Sequence, residues 1–226
     1  MQQASLLDRF AGILLASGGI LFFIAGALHP HTMGGSLRSS VIAMLRDPLW
    51  SAAHWLSFIS VVLIVLAVWL LLDDGWDDGS IVVRAGSRMI VMGGLFMLVE
   101  FAVELAARGA IPALASGGDA PMFNLFAAMH AGGWPILGTG FILLILGMRA
   151  AAPLPVRILG VLGALAMGLA GILVAGFYLT SFGWLFIGGE LLAIWIIWAG
   201  VQTARGAART TSDDKKQGAK PAPRAG

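Results

Sequence analysis

The sequence predicts an all-α protein, a six-span transmembrane helical bundle. Of its 226 residues, 58% are hydrophobic and 12% are charged, and the mean hydropathy is +0.89. A helix needs about 20 mainly apolar residues to cross a bilayer, and six runs of about that length follow one another along the chain. The predicted spans cover about residues 10–28, 51–72, 88–107, 122–148, 158–177 and 182–201. We therefore expect one membrane domain over residues 1–204, with little chain left for a soluble domain.

The connection between the first two spans predicts a short interfacial helix. The first span follows a short polar start and ends at His29-Pro30. Residues 36–47 then place their apolar side chains on one helical face, which is typical of a helix lying in the membrane interface. Pro48 ends this helix, and Trp50 opens the second span at a position that favours an interfacial aromatic belt.

Later spans differ in what interrupts them. The acidic segment 73–79 is interpreted as a solvated turn. Pro135 lacks an amide hydrogen, so we expect the fourth span to bend there, close to His130. The fifth span carries small residues that predict close helix packing and a possible homo-oligomer through small-residue faces. These small residues are Gly160, Ala164, Gly168 and Gly171.

Basic residues predict the orientation. Arginine and lysine are concentrated before the first span, in every second connection and in the tail, whereas the alternate connections hold only Arg38, Arg46 and Arg108. By the positive-inside rule, both termini are predicted to be cytoplasmic, in the inner membrane of a bacterium. Residues 205–226, rich in Ala, Lys, Arg, Gly and Pro, are predicted to be a disordered basic cytoplasmic tail. The tail accounts for much of the basic pI, so the charge indicates orientation and we expect no nucleic acid as a partner. The apolar spans themselves imply membrane lipid as a partner.

Ionisable residues inside the spans are the candidate functional residues. Glu100 and Glu104 are four residues apart, so they share one face of the third span. Ionisable side chains at membrane depth are costly and are functional candidates by default. A rise of about 1.5 Å per residue places the whole set in the outer half of the membrane. Its members are His29, His54, Glu100, Glu104, His130 and Glu190.

This His/Glu set favours a metal or haem site. Imidazole suits zinc, copper and iron, carboxylate completes a mixed site, and helical bundles build metal centres from facing helices. All six residues are candidate metal ligands, and His54 and His130 are the natural axial pair for a b-type haem. Glu100 and Glu104 could bridge two metal ions or orient the histidines. The chain has no cysteine, which excludes disulfides and thiolate ligands.

Three other functions stay open. Buried Glu and His with a broken helix near Pro135 are typical of proton- or ion-coupled transporters of small solutes, although no inverted repeat is visible. A metal-bound water could also act on a lipid-borne substrate, with Glu100 as base. In a structural protein without a cofactor, Glu104 would pair with Arg108, and His31 would be a solvated loop residue.

The segment from Ala27 to His54 resembles a pattern in uncharacterised bacterial multi-pass membrane proteins. In these proteins a His-Pro pair ends the first span and a Trp-x-x-x-His motif opens the second, as His29-Pro30 and Trp50 to His54 do here. The resemblance supports a hairpin that runs from His29 to His54. It implies no activity.

Overall fold

The computed structural model describes residues 5–30, 36–73, 80–118, 121–148 and 152–206, and these residues form helices and no β-strand. Six helices are long and apolar enough to cross a membrane. The all-α six-span bundle is therefore confirmed, as is the short helix between the first two spans. The tail after residue 206, the acidic residues 74–79 and His31 lie outside the described residues.

The helices follow the predicted spans in order. The α-helices are α1 (Leu6–Leu28), α2 (Leu37–Arg46), α3 (Trp50–Asp73), α4 (Ile81–Ala106), α5 (Ile111–Ala115), α6 (Pro121–Gly147), α7 (Leu154–Ala170) and α8 (Gly188–Ala204). A 3₁₀ turn, Ala107–Ala110, joins α4 to α5. A π-helical turn, Gly171–Gly176, extends α7, and a 3₁₀ helix, Thr180–Ile187, leads into α8.

Two helices begin well before the apolar runs that predict them, because polar side chains cap them. Ser5 accepts a hydrogen bond from the amide of Asp8, whose side chain accepts one in return, and this capping box starts α1 at Leu6. Ser80 accepts a hydrogen bond from the amide of Val83 and starts α4 at Ile81. Hydropathy detects the part of a helix that lies in hydrocarbon, whereas caps decide where the helix starts.

The six spanning helices form a closed ring. Each packs against its neighbour in sequence, and the last helix, α8, returns to pack against α1. Glycines allow the close contacts: a Cβ at Gly93 of α4 would lie 2.6 Å from the backbone nitrogen of Leu137 on α6. Likewise, a Cβ at Gly200 of α8 would lie 2.4 Å from the backbone nitrogen of Ala16 on α1. Small residues are thus required where backbones meet.

The small residues of the fifth span pack inside the chain. A Cβ at Gly160 would lie 2.8 Å from the Trp195 ring, and one at Gly171 would lie 2.9 Å from the carbonyl oxygen of His130. Ala164 is fully buried. These residues serve contacts within the ring, and a homo-oligomer stays a prediction.

Apolar side chains fill the middle of the ring. Phe141 from α6, Met167 from α7 and Trp195 and Ile196 from α8 are almost fully buried in one continuous core. α6 runs without interruption from Pro121 to Gly147 with Pro135 inside it. This apolar core ends near α2, where ionisable side chains from several helices lie at the end of the ring.

A second, smaller apolar cluster holds α2 over that end. Val41 and Leu45 of α2 are buried against Trp50 and Leu114. Arg108 fastens the end of the helix: its Nε donates to the carbonyl oxygen of Leu45 at 3.0 Å, and its guanidinium also donates to the carbonyl oxygen of Asp47. These two hydrogen bonds use carbonyls left free at the C-terminus of α2.

Candidate metal site

A cavity of about 120 Å³, whose mostly apolar lining includes five ionisable side chains, lies at the end of the ring covered by α2. The spans run alternately up and down, so α1 and α4 end here while α3 and α6 begin here. Five of the six candidate residues from the sequence line this cavity, and the sixth, Glu100, is fully buried behind one of them. The five are His29, His54, Glu104, His130 and Glu190. The structure thus brings the set together, whereas a role for these residues as ligands stays a prediction.

His130 is held by two partners on its inner side. Its Nδ1 is hydrogen-bonded to Glu100 Oε1, and because a carboxylate oxygen accepts, Nδ1 is the nitrogen that donates. The indole Nε1 of Trp134 donates to both oxygens of Glu100 at 3.0 Å. The Trp134 ring also stacks on the imidazole, with 4.6 Å between ring centroids. The other nitrogen, His130 Nε2, is buried without a hydrogen-bond partner.

His54 is held in the same way by a different acceptor. Its Nδ1 donates to the carbonyl oxygen of Trp50 at 2.7 Å, and the two rings lie 3.7 Å apart. His54 Nε2 then lies 3.1 Å from Glu104 Oε2, an oxygen that has no hydrogen-bond partner. In a neutral imidazole whose Nδ1 donates, Nε2 carries a lone pair. Two lone pairs at this distance need a proton or a metal cation to bridge them.

Glu104 is positioned by a hydrogen bond to its backbone and by the absence of competition from Arg108. The indole Nε1 of Trp50 donates to the backbone carbonyl oxygen of Glu104 at 3.3 Å, which ties the start of α3 to the end of α4. The alternative pairing of Glu104 with Arg108 is replaced, because the Arg108 guanidinium hydrogen-bonds to α2 instead. The carboxylate of Glu104 is therefore directed at His54 and the cavity.

Glu190, near the start of α8, and His29, at the end of α1, complete the set of ionisable residues that line the cavity. Gly26 of α1 leaves room for the Glu190 side chain, since a Cβ at Gly26 would lie 2.3 Å from Glu190 Oε1. Glu190 Oε2 is buried without a hydrogen-bond partner. His29 is partly buried, donates from Nδ1 to the carbonyl oxygen of Pro30 at 3.1 Å, and has its ring 5.0 Å from that of His54. The hairpin expected between His29 and His54 places the two imidazoles side by side.

Two buried polar atoms without partners therefore belong to residues that line one cavity, His130 Nε2 and Glu190 Oε2, while Glu104 Oε2 has His54 Nε2 as its neighbour at 3.1 Å. Single ligand atoms of Glu100, Glu104 and His130 lie within 4.8 Å of one another, a spacing that could hold a metal ion. Among the described residues, no lysine or arginine lines the cavity. The arrangement suits a cation and disfavours an anion.

The sequence interpretation missed two residues that build the site. The sequence pattern does not select Trp134 and favours an interfacial position for Trp50, yet each orients one histidine. A signal was present, because Trp134 follows His130 by four residues and Trp50 precedes His54 by four. Residues four apart share one helical face.

Comparison of the chain with protein-family models, curated proteins and solved structures gives no match. The resemblance in the hairpin from His29 to His54 stays a prediction. Function is therefore inferred from the chemistry and geometry of the cavity.

Proposed function

We propose that the protein binds one transition metal ion in this cavity. Its ligands are Glu104 and His130, which have ligand atoms within 4.8 Å of one another, and His54, whose Nε2 lies 3.1 Å from Glu104 Oε2. The observation that carries the proposal is the meeting, at one cavity, of two buried, unpartnered polar atoms, His130 Nε2 and Glu190 Oε2, with the pair formed by His54 Nε2 and Glu104 Oε2. An unpartnered buried atom costs roughly 1–3 kcal/mol, and buried polar groups are rarely left so. A metal ion, together with a water molecule bound to it, would give both unpartnered atoms a partner and would bridge the pair.

The orientation of both histidines supports this ligand set. Histidines that bind metal ions usually donate their other ring nitrogen to a carboxylate or a backbone carbonyl, which fixes the ring and the tautomer. His130 donates to Glu100 and His54 donates to the carbonyl of Trp50. Glu100 therefore serves as the carboxylate that orients His130, rather than as a ligand.

The distance between two proposed ligand atoms also supports it. Two ligands about 2.0–2.1 Å from a tetrahedral zinc ion lie about 3.3 Å apart. His54 Nε2 and Glu104 Oε2 are 3.1 Å apart. Two imidazoles and one carboxylate, with a fourth position left for water, are the ligands of open zinc and iron(II) sites. We assign Glu190 to that fourth position as the acceptor for the bound water.

The ligand types favour zinc or iron(II). Copper(I) prefers sulfur ligands, the chain has no cysteine, and Met44 is the only methionine among the described residues lining the cavity. The cavity of about 120 Å³ is also small for haem, since ligand pockets usually measure roughly 300–1,000 Å³.

The other functions have less support. A transport path would have to continue beyond the cavity, where apolar side chains fill the ring and leave a void of only about 10 Å³. A purely structural network accounts for the contacts of Glu100, His130 and Trp134, and a proton shared with His54 accounts for Glu104 Oε2, but the network leaves His130 Nε2 and Glu190 Oε2 without partners. We therefore favour the metal ion over both.

Metal titration of the purified, chelator-treated protein tests the proposal. We expect one zinc or iron(II) ion to bind per chain, and binding to weaken by more than about 100-fold in Glu104→Gln and in His130→Gln, since each removes a ligand outright and loss of an orienting residue alone costs 10–100-fold. Thr203→Val is the matched control, because Thr203 is also buried with an unpartnered oxygen but lies away from the cavity. Absence of binding in the wild type, or equal affinity in all four proteins, would overturn the proposal.

A further inference from the structure

An open apolar groove of about 850 Å³ runs along the outside of the ring, between α1 and the segment from Thr180 to Ile194. We call it the lateral groove. Large apolar side chains that are well exposed form its walls, among them Phe23, Trp184, Ile187 and Ile194. The exposed outer surface of a membrane bundle faces hydrocarbon, so in a bilayer this groove opens to the lipid chains.

The lateral groove and the cavity covered by α2 share a wall. Thr180, Phe186 and Glu190 line both of them. Glu190 stands between the two: Oε1 lies against Gly26 of α1, and Oε2 is buried and unpartnered. A ligand seated in the groove therefore has a carboxylate at its inner end, with the proposed metal site beyond it.

Charge restricts the head group of such a ligand. The cavity is lined by two carboxylates and three histidines, and none of the described residues lining it is lysine or arginine. A phosphate or carboxylate head group would face Glu190 and Glu104, with no lysine or arginine among the described lining residues to pair with. A hydroxyl group can donate to Glu190 Oε2 while its own lone pair turns toward a metal cation.

From these observations we infer that the lateral groove binds a long-chain alcohol, with the chain in the groove and the hydroxyl at Glu190. The ligand enters sideways from the bilayer, and its hydroxyl occupies the fourth position of the metal site. This last step, and the choice of a neutral hydroxyl over a cationic head group, rest on the proposed metal site, whereas binding of the chain in the groove does not.

Photolabelling of the full-length protein in detergent tests the inference, with hexadecanol carrying a diazirine in its chain as the probe. We expect crosslinks to map to residues 180–194 and to Phe23, in both zinc-loaded and metal-free protein. Leu191→Trp, which fills the groove, should lose the label. Leu165→Trp places the same ring on an exposed apolar position of α7 outside the groove and should keep it.

Competition identifies the head group. Unlabelled hexadecanol should displace the probe at a concentration at least about tenfold lower than hexadecyl phosphate does, and Glu190→Gln should reduce this preference, because a hydrogen bond to a charged acceptor is worth about that factor. Equal competition by the phosphate would overturn the assignment of the hydroxyl. Labelling that is unaffected by Leu191→Trp would overturn the groove, whatever the metal titration shows. Groove labelling in a protein that binds no metal would support the inference while refuting the metal site.

Discussion

At the scale of single residues, the cavity depends on which imidazole nitrogen is used for structure and which is left free. In both histidines Nδ1 donates a hydrogen bond to an acceptor within the protein, and Nε2 remains available to a cation. Both side chains line the cavity. Trp134 supports this arrangement for His130, because its indole satisfies both oxygens of the carboxylate that holds the ring. The tryptophan therefore acts on the proposed ligand through Glu100.

Trp134→Phe tests this support. The substitution keeps an aromatic ring stacked on His130 but removes a hydrogen-bond donor from the buried carboxylate, which costs roughly 1–3 kcal/mol. We expect a lower thermal midpoint in the metal-free protein and metal affinity reduced about 10–100-fold, as for other residues that orient ligands.

The control for this prediction is Trp69→Phe, on the exposed side of α3. It should leave both quantities unchanged. Metal affinity equal to that of the wild type in Trp134→Phe would contradict the positioning role, even if the protein became less stable.

The sequence reveals the depth of each polar residue, and depth was enough to select the set. Glu100, His130 and Glu190 stand out because ionisable groups are rare inside apolar helices. Depth does not reveal tautomers or acceptors. That His130 rests on Glu100, while His54 rests on a backbone carbonyl, depends on how the helices are rotated against one another, and one sequence does not contain that rotation.

At the scale of elements, α2 covers the cavity and is fastened by a residue of a different connection. Ser40, Val41 and Met44 line the cavity from above. Arg108 holds the C-terminal end of α2 through two backbone carbonyls. The apolar pattern of residues 36–47 predicts the helix but not this attachment, because Arg108 is more than 60 residues away.

Loss of this attachment should expose the buried face of α2. The chain lacks cysteine, so a single cysteine introduced by Val41→Cys reports on a position that is buried in the structure. In the Arg108→Gln background we expect this thiol to react with a maleimide several-fold faster, because the region opens locally more often.

Ala43→Cys provides the comparison, since this position on α2 is exposed. Its reaction rate should be the same with and without Arg108. If Arg108→Gln leaves the rate at position 41 unchanged, the apolar contacts of α2 hold it without the arginine.

At the scale of the whole molecule, the fold is a ring of six helices with an apolar centre and one polar end. The number and order of the spans are readable from hydropathy because hydrocarbon thickness fixes helix length. Closure of the ring by α1 and α8 was not predicted, since it depends on contacts between the two ends of the chain. Gly12 and Gly200 carry that contact, and glycines alone do not reveal their partners.

Orientation across the membrane is a further prediction at this scale. The charge bias predicts that both termini are cytoplasmic and that the connection after α4 lies on the opposite side. An impermeant maleimide applied to spheroplasts should therefore label Ser116→Cys, which is exposed after α5, and should label Gly226→Cys only after lysis. The reverse pattern would invert the orientation and place the cavity on the cytoplasmic side.

The central claim concerns the whole molecule, because α3, α4 and α6 must each contribute one ligand to a single ion. X-ray absorption spectroscopy of the zinc-loaded protein tests it most directly. We predict nitrogen and oxygen ligands alone at about 2.0–2.1 Å, with outer-shell scattering from two imidazoles that falls to one in His130→Gln. Zinc without imidazole ligands, or an unchanged spectrum in His130→Gln, would contradict the account.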